Sequence, residues 1–203
     1  MDNIFNPVTK SSYDIRDYTI KAKSQFPTSF SLDNLPSIKN QGLKPTCVAH
    51  ALSSVVEYHH MRQHNIQSSF STEFIYGMRE EGQYDGDGMF VRNALDNLLK
   101  YGDVYEEDCK GNHNVKQAME NVSKNIDTLK ELAYAHRISG YYKIKTADEI
   151  KTALMKHGPV VACMDINVFH ILINDVYTYN PKSKLNEGHC IFIYGWNEKG
   201  WLV

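Results

Sequence analysis

The chain has 203 residues, 42% apolar and 23% charged, with a net charge of −2; this is ordinary globular usage at the length of one large domain or two small lobes, which excludes a disordered chain and a tandem array. The basic residues are scattered, leaving no footprint for nucleic-acid phosphates. No stretch approaches the roughly 18–20 apolar residues that cross a bilayer, so no membrane partner is expected, and Met1 to Lys10 lacks the basic-then-apolar order of a signal peptide.

Residues 1–26 are polar, carry the cluster Asp14-Ile15-Arg16-Asp17-Tyr18 and show no helical periodicity, so they read as an N-terminal extension that lies on the body or stays mobile. Phe30 to Lys39 reads as extended chain and leads into Gln41-Gly42-Leu43-Lys44-Pro45-Thr46-Cys47, where Gly42 and Pro45 mark a turn. Val48, Leu52, Val55 and Val56, with Ala49 and Ala51 between them, have helical spacing for about five turns. Thr46 stands at the N-cap position, which puts Cys47 in the first turn of a mostly buried helix.

A second helix fits Thr72 to Arg79, followed by a glycine turn over Gly82 to Gly88 and a third helix from about Phe90 to Lys100. Val115 to His136 has weaker helical spacing, and Tyr141-Tyr142-Lys143-Ile144 has the aromatic content of a strand. A helix over Ala147 to His157 ends at Gly158-Pro159. Val160 to Ile166 and Cys190 to Tyr194 read as buried strands, and Trp201-Leu202-Val203 starts another. Helices first and strands second make the class α+β.

The four cysteines, Cys47, Cys109, Cys163 and Cys190, include no C-x-x-C pair, which argues against a structural zinc site and a disulfide framework and for a cytoplasmic or other reducing compartment. A thiol reacts as thiolate, and a helix N-terminus with an adjacent imidazolium favours that form. Cys47 has the helix end, so its thiol is expected to titrate below the free value of about 8.5. Among nine histidines, His189 is singled out: Gly188 precedes it, and it opens the apolar run Cys190-Ile191-Phe192-Ile193-Tyr194-Gly195-Trp196, which would hold its ring rigidly. Cys109, Cys163 and Cys190 read as inert core residues. His60 and His64 lie one turn apart, but no third ligand stands in the pattern, so they read as a solvated face. Asp85 and Asp87 lack the glutamate spacing of a calcium loop. No metal and no cofactor are expected.

Gln41-Gly42, then Thr46-Cys47 opening a helix, then Gly158-Pro159-Val160, Gly188-His189-Cys190-Ile191, Gly195-Trp196 and Gly200-Trp201-Leu202-Val203 follow one another in an order that resembles the papain family of cysteine peptidases. Ser71-Thr72-Glu73-Phe74-Ile75-Tyr76 and Asp85-Gly86-Asp87-Gly88 are lesser echoes, and the likeness runs from about Phe30 to Val203. The resemblance implies a papain-like two-lobe fold over residues 27–203, with a helical lobe over about 46–137, a β-barrel-like lobe over about 138–203, and a cleft between them for an extended polypeptide. It implies a thiol endopeptidase in which Cys47 attacks the scissile carbonyl, His189 shuttles the proton, and the Gln41 amide with the Cys47 N–H stabilises the oxyanion.

This chain departs from the family pattern in two places. Lys44-Pro45-Thr46-Cys47-Val48 replaces the family's Cys-Gly-Ser-Cys-Trp, so a family disulfide is lost, in keeping with a reducing setting. The family's Asn, which orients the histidine, is expected just after Gly200 to Val203, where the sequence stops; it is unassigned, and a fragment or processed chain is suspected. Two alternatives follow: a latent relative whose cleft binds a peptide or partner, or a Cys-His transglutaminase or deamidase. An inhibitory contact by the N-terminal segment belongs to the same reading.

Overall fold

The computed structural model describes residues 14, 17–80, 82, 86–111, 114–167, 172–173, 176–177 and 186–203. Most of the predicted N-terminal extension and residues 83–85 of the predicted glycine turn therefore lie outside the described residues.

After the short strand β1 (Phe30–Ser31) comes α1 (Cys47–His64), whose alanines and valines let neighbours approach on more than one side. Cys47, Val48, Ala49, Ala51, Leu52, Val56 and Tyr58 are all buried along it. The helix stops at Asn65, in the left-handed region (φ 56°), whose N–H donates to the Met61 carbonyl. Its start corrects the sequence reading. Thr46 has ψ 21° rather than the extended value a cap needs, makes no side-chain cap bond, and leaves its hydroxyl buried without a hydrogen-bond partner.

Against α1 pack α2 (Thr72–Gly77) and α3 (Val91–Lys100), and α4 (Val115–Lys124) packs on α2. The α2 helix is shorter than predicted. Its approach to α4 requires Gly77: a Cβ there would come within 2.4 Å of Val122 Cγ2. The predicted Val115 to His136 helix divides at Asn125 into α4 and α5 (Ile126–Ala133), and ends in a 3-10 turn at Tyr134–His136. A capping box closes the α4 start, with the Asn114 side chain accepting from the Gln117 N–H and the Gln117 side chain accepting from the Asn114 N–H.

The same box, Thr146 with Glu149, opens α6 (Ala147–Lys156), which ends before Gly158 (φ 122°) as the Gly-Pro pair predicts. Strand β2 (Val160–Asn167) runs antiparallel to β5 (Asn186–Ile193), with Met164 opposite His189 and Cys163 opposite Cys190. The two-residue strands β3 (Leu172–Ile173) and β4 (Val176–Tyr177) pair with each other, and β6 (Gly195–Asn197) is flanked by β1 and β7 (Gly200–Leu202).

Tyr141 to Ile144 does not form the predicted strand. Only Lys143 makes an isolated bridge, to Thr19; Tyr142 meets Tyr18 edge-on at 6.3 Å and His157 at 5.1 Å, and the Tyr141 hydroxyl donates to Asp96 Oδ1. Of the solvated face expected at His60 and His64, His64 is exposed as read and only His60 is corrected. His60 is half-buried, 5.2 Å from the Phe70 ring and 5.8 Å from His136, with the Tyr105 hydroxyl 3.3 Å from its Nε2.

The buried apolar residues gather into connected clusters. Cys47, Val48, Leu52 and Val56 pack with Phe70, Ile75, Leu98 and Cys190, whereas Tyr58, further along α1, packs with Ile20, Leu32, Leu154, Val160, Ile193 and Trp196. A buried charge pair reinforces the first cluster. Lys39 Nζ lies 2.7 Å from Glu57 Oε1 and 2.9 Å from Ser53 Oγ, both on α1, and also donates to the Phe70 carbonyl. Glu57 accepts the Phe70 N–H at 2.8 Å. Among the described residues no helix is long and apolar enough to cross a membrane.

From Asp17 the chain lies on this body. The Asp17 carboxylate bridges Arg92 of α3 (2.5 Å) and Lys143 (3.1 Å), the Lys143 N–H donates to the Tyr18 carbonyl, and the Lys23 N–H donates to Thr152 Oγ1 of α6. Arg92, more than Lys143, holds the Asp17 carboxyl at about 2, below its ordinary 3.8. Because the folded value is depressed, the tie is fully present above the unfolded value and is lost as pH falls through about 2. Hydrogen exchange at Tyr18 to Lys23 is therefore expected to accelerate below about pH 4, and Asp17→Asn should show the acid behaviour already at pH 7; unchanged protection in that variant would show that Ile20 packing alone holds the segment.

Candidate active site

The turn ahead of α1 is built by short-range bonds. Gly42 takes φ 59°, in the left-handed region that favours glycine, and its N–H donates to Asn40 Oδ1 at 2.8 Å. The Gln41 side chain folds over the same turn, its Nε2 donating to the Lys44 carbonyl at 3.0 Å. Lys39, two residues earlier, fastens this loop to α1.

Cys47 is the first helical residue, buried at 9% exposure. The backbone N–H groups of Cys190, Val48 and Cys47 itself face its sulfur and favour the thiolate. Burial outweighs them and pushes the thiol up, and charge on Cys163 adds to that. This runs against the expectation of a depressed thiol: the helix end is present, but burial outweighs it.

His189 lies half-buried on β5, immediately before the Cys190 whose amide faces the Cys47 sulfur. Burial pushes its imidazole down. Both groups therefore favour their neutral forms, and among the described residues no hydrogen bond or ion pair joins them. Cys47 packs in one cluster with Cys190, the residue after His189, where α1 meets β5, and Gln41 lines a pocket with Asn40, Lys44, Thr46, His50 and Tyr76.

Residues missed in the sequence also shape the site. His50 Nδ1 lies 2.9 Å from the Thr46 carbonyl, one turn along α1. Cys163 and Cys190 were read as inert core; Cys190 is buried, but Cys163 is exposed, and their sulfurs are 3.2 Å apart. The adjacency of Cys190 to His189 was visible in the sequence, whereas the Cys163 contact depends on strand register. Among the described residues no group of three or more His, Cys, Asp or Glu side chains could hold a metal ion.

Comparison with solved structures finds this architecture repeatedly. Xylellain, a cysteine protease from Xylella fastidiosa, is similar with TM-score 0.80 and 19% identity over 95% of this chain and 80% of that one. ProCathepsin B S9 from Trypanosoma congolense gives 0.69 and 16% over 96% of this chain and 72% of that one. Digestive procathepsin L 3 of the Tenebrio molitor larval midgut gives 0.64 and 18% over 96% of this chain and 62% of that one. At these identities the likeness establishes the papain-like α+β fold. A comparison with curated proteins finds no match. The sequence profile described as papain family cysteine protease matches residues 27–202, nearly the whole chain: this chain belongs to the papain family of cysteine proteases.

Proposed function

We propose that the protein is a thiol endopeptidase that holds an extended polypeptide between a helical lobe (about 46–137) and a β lobe (about 138–203). The observation that carries this reading is the placement of the Cys47 sulfur at the start of α1 against the amide of the residue that follows His189. The neutral His189 ring acts as general base, taking the thiol proton as the sulfur attacks the carbonyl carbon, and then returns it to the leaving amine. Water hydrolyses the resulting thioester. The Cys47 N–H and the Gln41 amide, released from the Lys44 carbonyl, receive the oxyanion.

Free cysteines suit a reducing compartment. Two of the similar structures are pro-forms by description. An inhibitory contact by the N-terminal segment belongs to this reading, and within that segment Asp17 contacts Arg92 and Lys143 while Lys23 contacts Thr152.

A peptidyl vinyl sulfone together with a fluorogenic peptide tests the assignment: stoichiometric labelling of Cys47 and cleavage are expected. Gln41→Ala should lower kcat by roughly 10²-fold with little change in KM. Two observations favour a second reading, a latent fold that binds peptide without turnover: the buried thiol and the Gln41 amide turned to its own loop. That reading predicts no label and no effect of Gln41→Ala on peptide binding. Labelling with amine incorporation instead of cleavage would identify a transglutaminase.

A further inference from the structure

Cys163 and Cys190 are direct cross-strand partners in the β2–β5 ladder. Directly opposed residues of antiparallel strands have Cα atoms about 4.5–5.5 Å apart, within the range of about 4.4–6.8 Å that a disulfide spans. The sulfurs, at 3.2 Å, need to close by roughly 1 Å to reach bonding distance, a side-chain torsion rather than a backbone shift. The two thiols are also unequal in the way thiol exchange requires. Cys163 is exposed and open to a reagent from solution, whereas Cys190 is buried directly behind it. Contact with the Cys190 thiol lowers Cys163, while the same contact, together with burial, holds Cys190 well up as the protonated partner.

We propose that Cys163 and Cys190 form a reversible dithiol–disulfide site, closed by a small-molecule disulfide such as oxidised glutathione, which clips β2 to β5 beside Cys47. The Cys163 thiolate attacks one sulfur of the reagent and expels a thiolate, leaving a mixed disulfide on the exposed face. The Cys190 sulfur then attacks Cys163 Sγ, its proton passes to the departing second thiolate, and the protein disulfide closes. Two protein thiols are oxidised and one reagent disulfide is reduced to two thiols, so electrons and protons balance.

The location gives this chemistry its consequence. Cys190 packs in the same cluster as Cys47 and presents its amide to that sulfur, and charge on Cys163 opposes ionisation of Cys47. Closing the disulfide removes that charge and fixes the strand carrying His189. The site itself stands on strand register and sulfur geometry alone; only its effect on activity rests on the proposed role of Cys47.

The test is incubation of the folded full chain with oxidised glutathione, blocking of free thiols, and peptide mapping without reductant. The expected result is loss of two of the four thiols, a linked pair of peptides containing Cys163 and Cys190, and full reversal by dithiothreitol. Cys163→Ser, at an exposed position, should abolish the linkage and leave Cys190 unmodified. Recovery of both thiols unlinked, a linkage from Cys47 to either one, or a two-thiol loss that persists in Cys163→Ser would overturn the proposal. Labelling of Cys47 by the vinyl sulfone, measured on the same reduced sample, reads the peptidase assignment separately.

Discussion

With Cys47 replaced by alanine, peptide cleavage and electrophile labelling are both expected to disappear, a fall on the order of 10⁴-fold or more, because the proposed acyl intermediate forms on this sulfur. Cys47 is buried at 9% exposure, so removal of its sulfur leaves a small void and costs about 1 kcal/mol of stability. A thermal melt close to that of the parent would separate lost chemistry from lost fold. Cleavage that persists in Cys47→Ala would remove the thiol from the reaction. Cys109, Cys163 and Cys190 provide the controls, since alanine at these positions should leave Cys47 labelling in place.

Lys39→Met is expected to destabilise the fold by about 3–5 kcal/mol, the usual result of removing one member of a buried pair. Glu57 is 4% exposed and would keep a charge in the core with only the Phe70 N–H to satisfy it. Ser53 and the Phe70 carbonyl would lose a donor at the same time. Most of the loss should return in Lys39→Met with Glu57→Gln, which removes the stranded charge but keeps an acceptor for Phe70. Urea denaturation of the two variants makes the comparison, and equal midpoints for both would show that packing of the Lys39 stem, rather than charge, is what matters. The Gln41 turn follows Lys39 by two residues, so the single variant should also turn over more slowly while it remains folded.

Local signals in the chain carried most of the helices. Apolar spacing from Val48 placed α1, and the Gly158-Pro159 pair placed the end of α6 within a residue. Where the reading went wrong, a distant partner decided. Tyr141 to Ile144 has strand composition, but Tyr142 meets Tyr18 and His157 and the Tyr141 hydroxyl meets Asp96, which no local pattern records. His60 and His64 have surface spacing, yet Phe70, Tyr105 and His136 come from three other segments to enclose His60. The same division runs through the site. That Cys47 heads a helix is local and was legible, but its acidity is set by burial, which reversed the direction expected from the helix end alone. Likewise Cys190 sits beside His189 in the sequence, while its contact with Cys163 exists only because β2 and β5 pair in one register rather than another.

The α1 helix supplies Cys47 to one apolar cluster and Tyr58, three turns later, to the other. A rod threaded through two cores has no cheap way to fray: opening it locally would expose both at once, whereas the short outer strands can part alone. The sulfur proposed as nucleophile therefore rides on a helix held by both clusters, and warming should loosen the short outer strands before it displaces that helix.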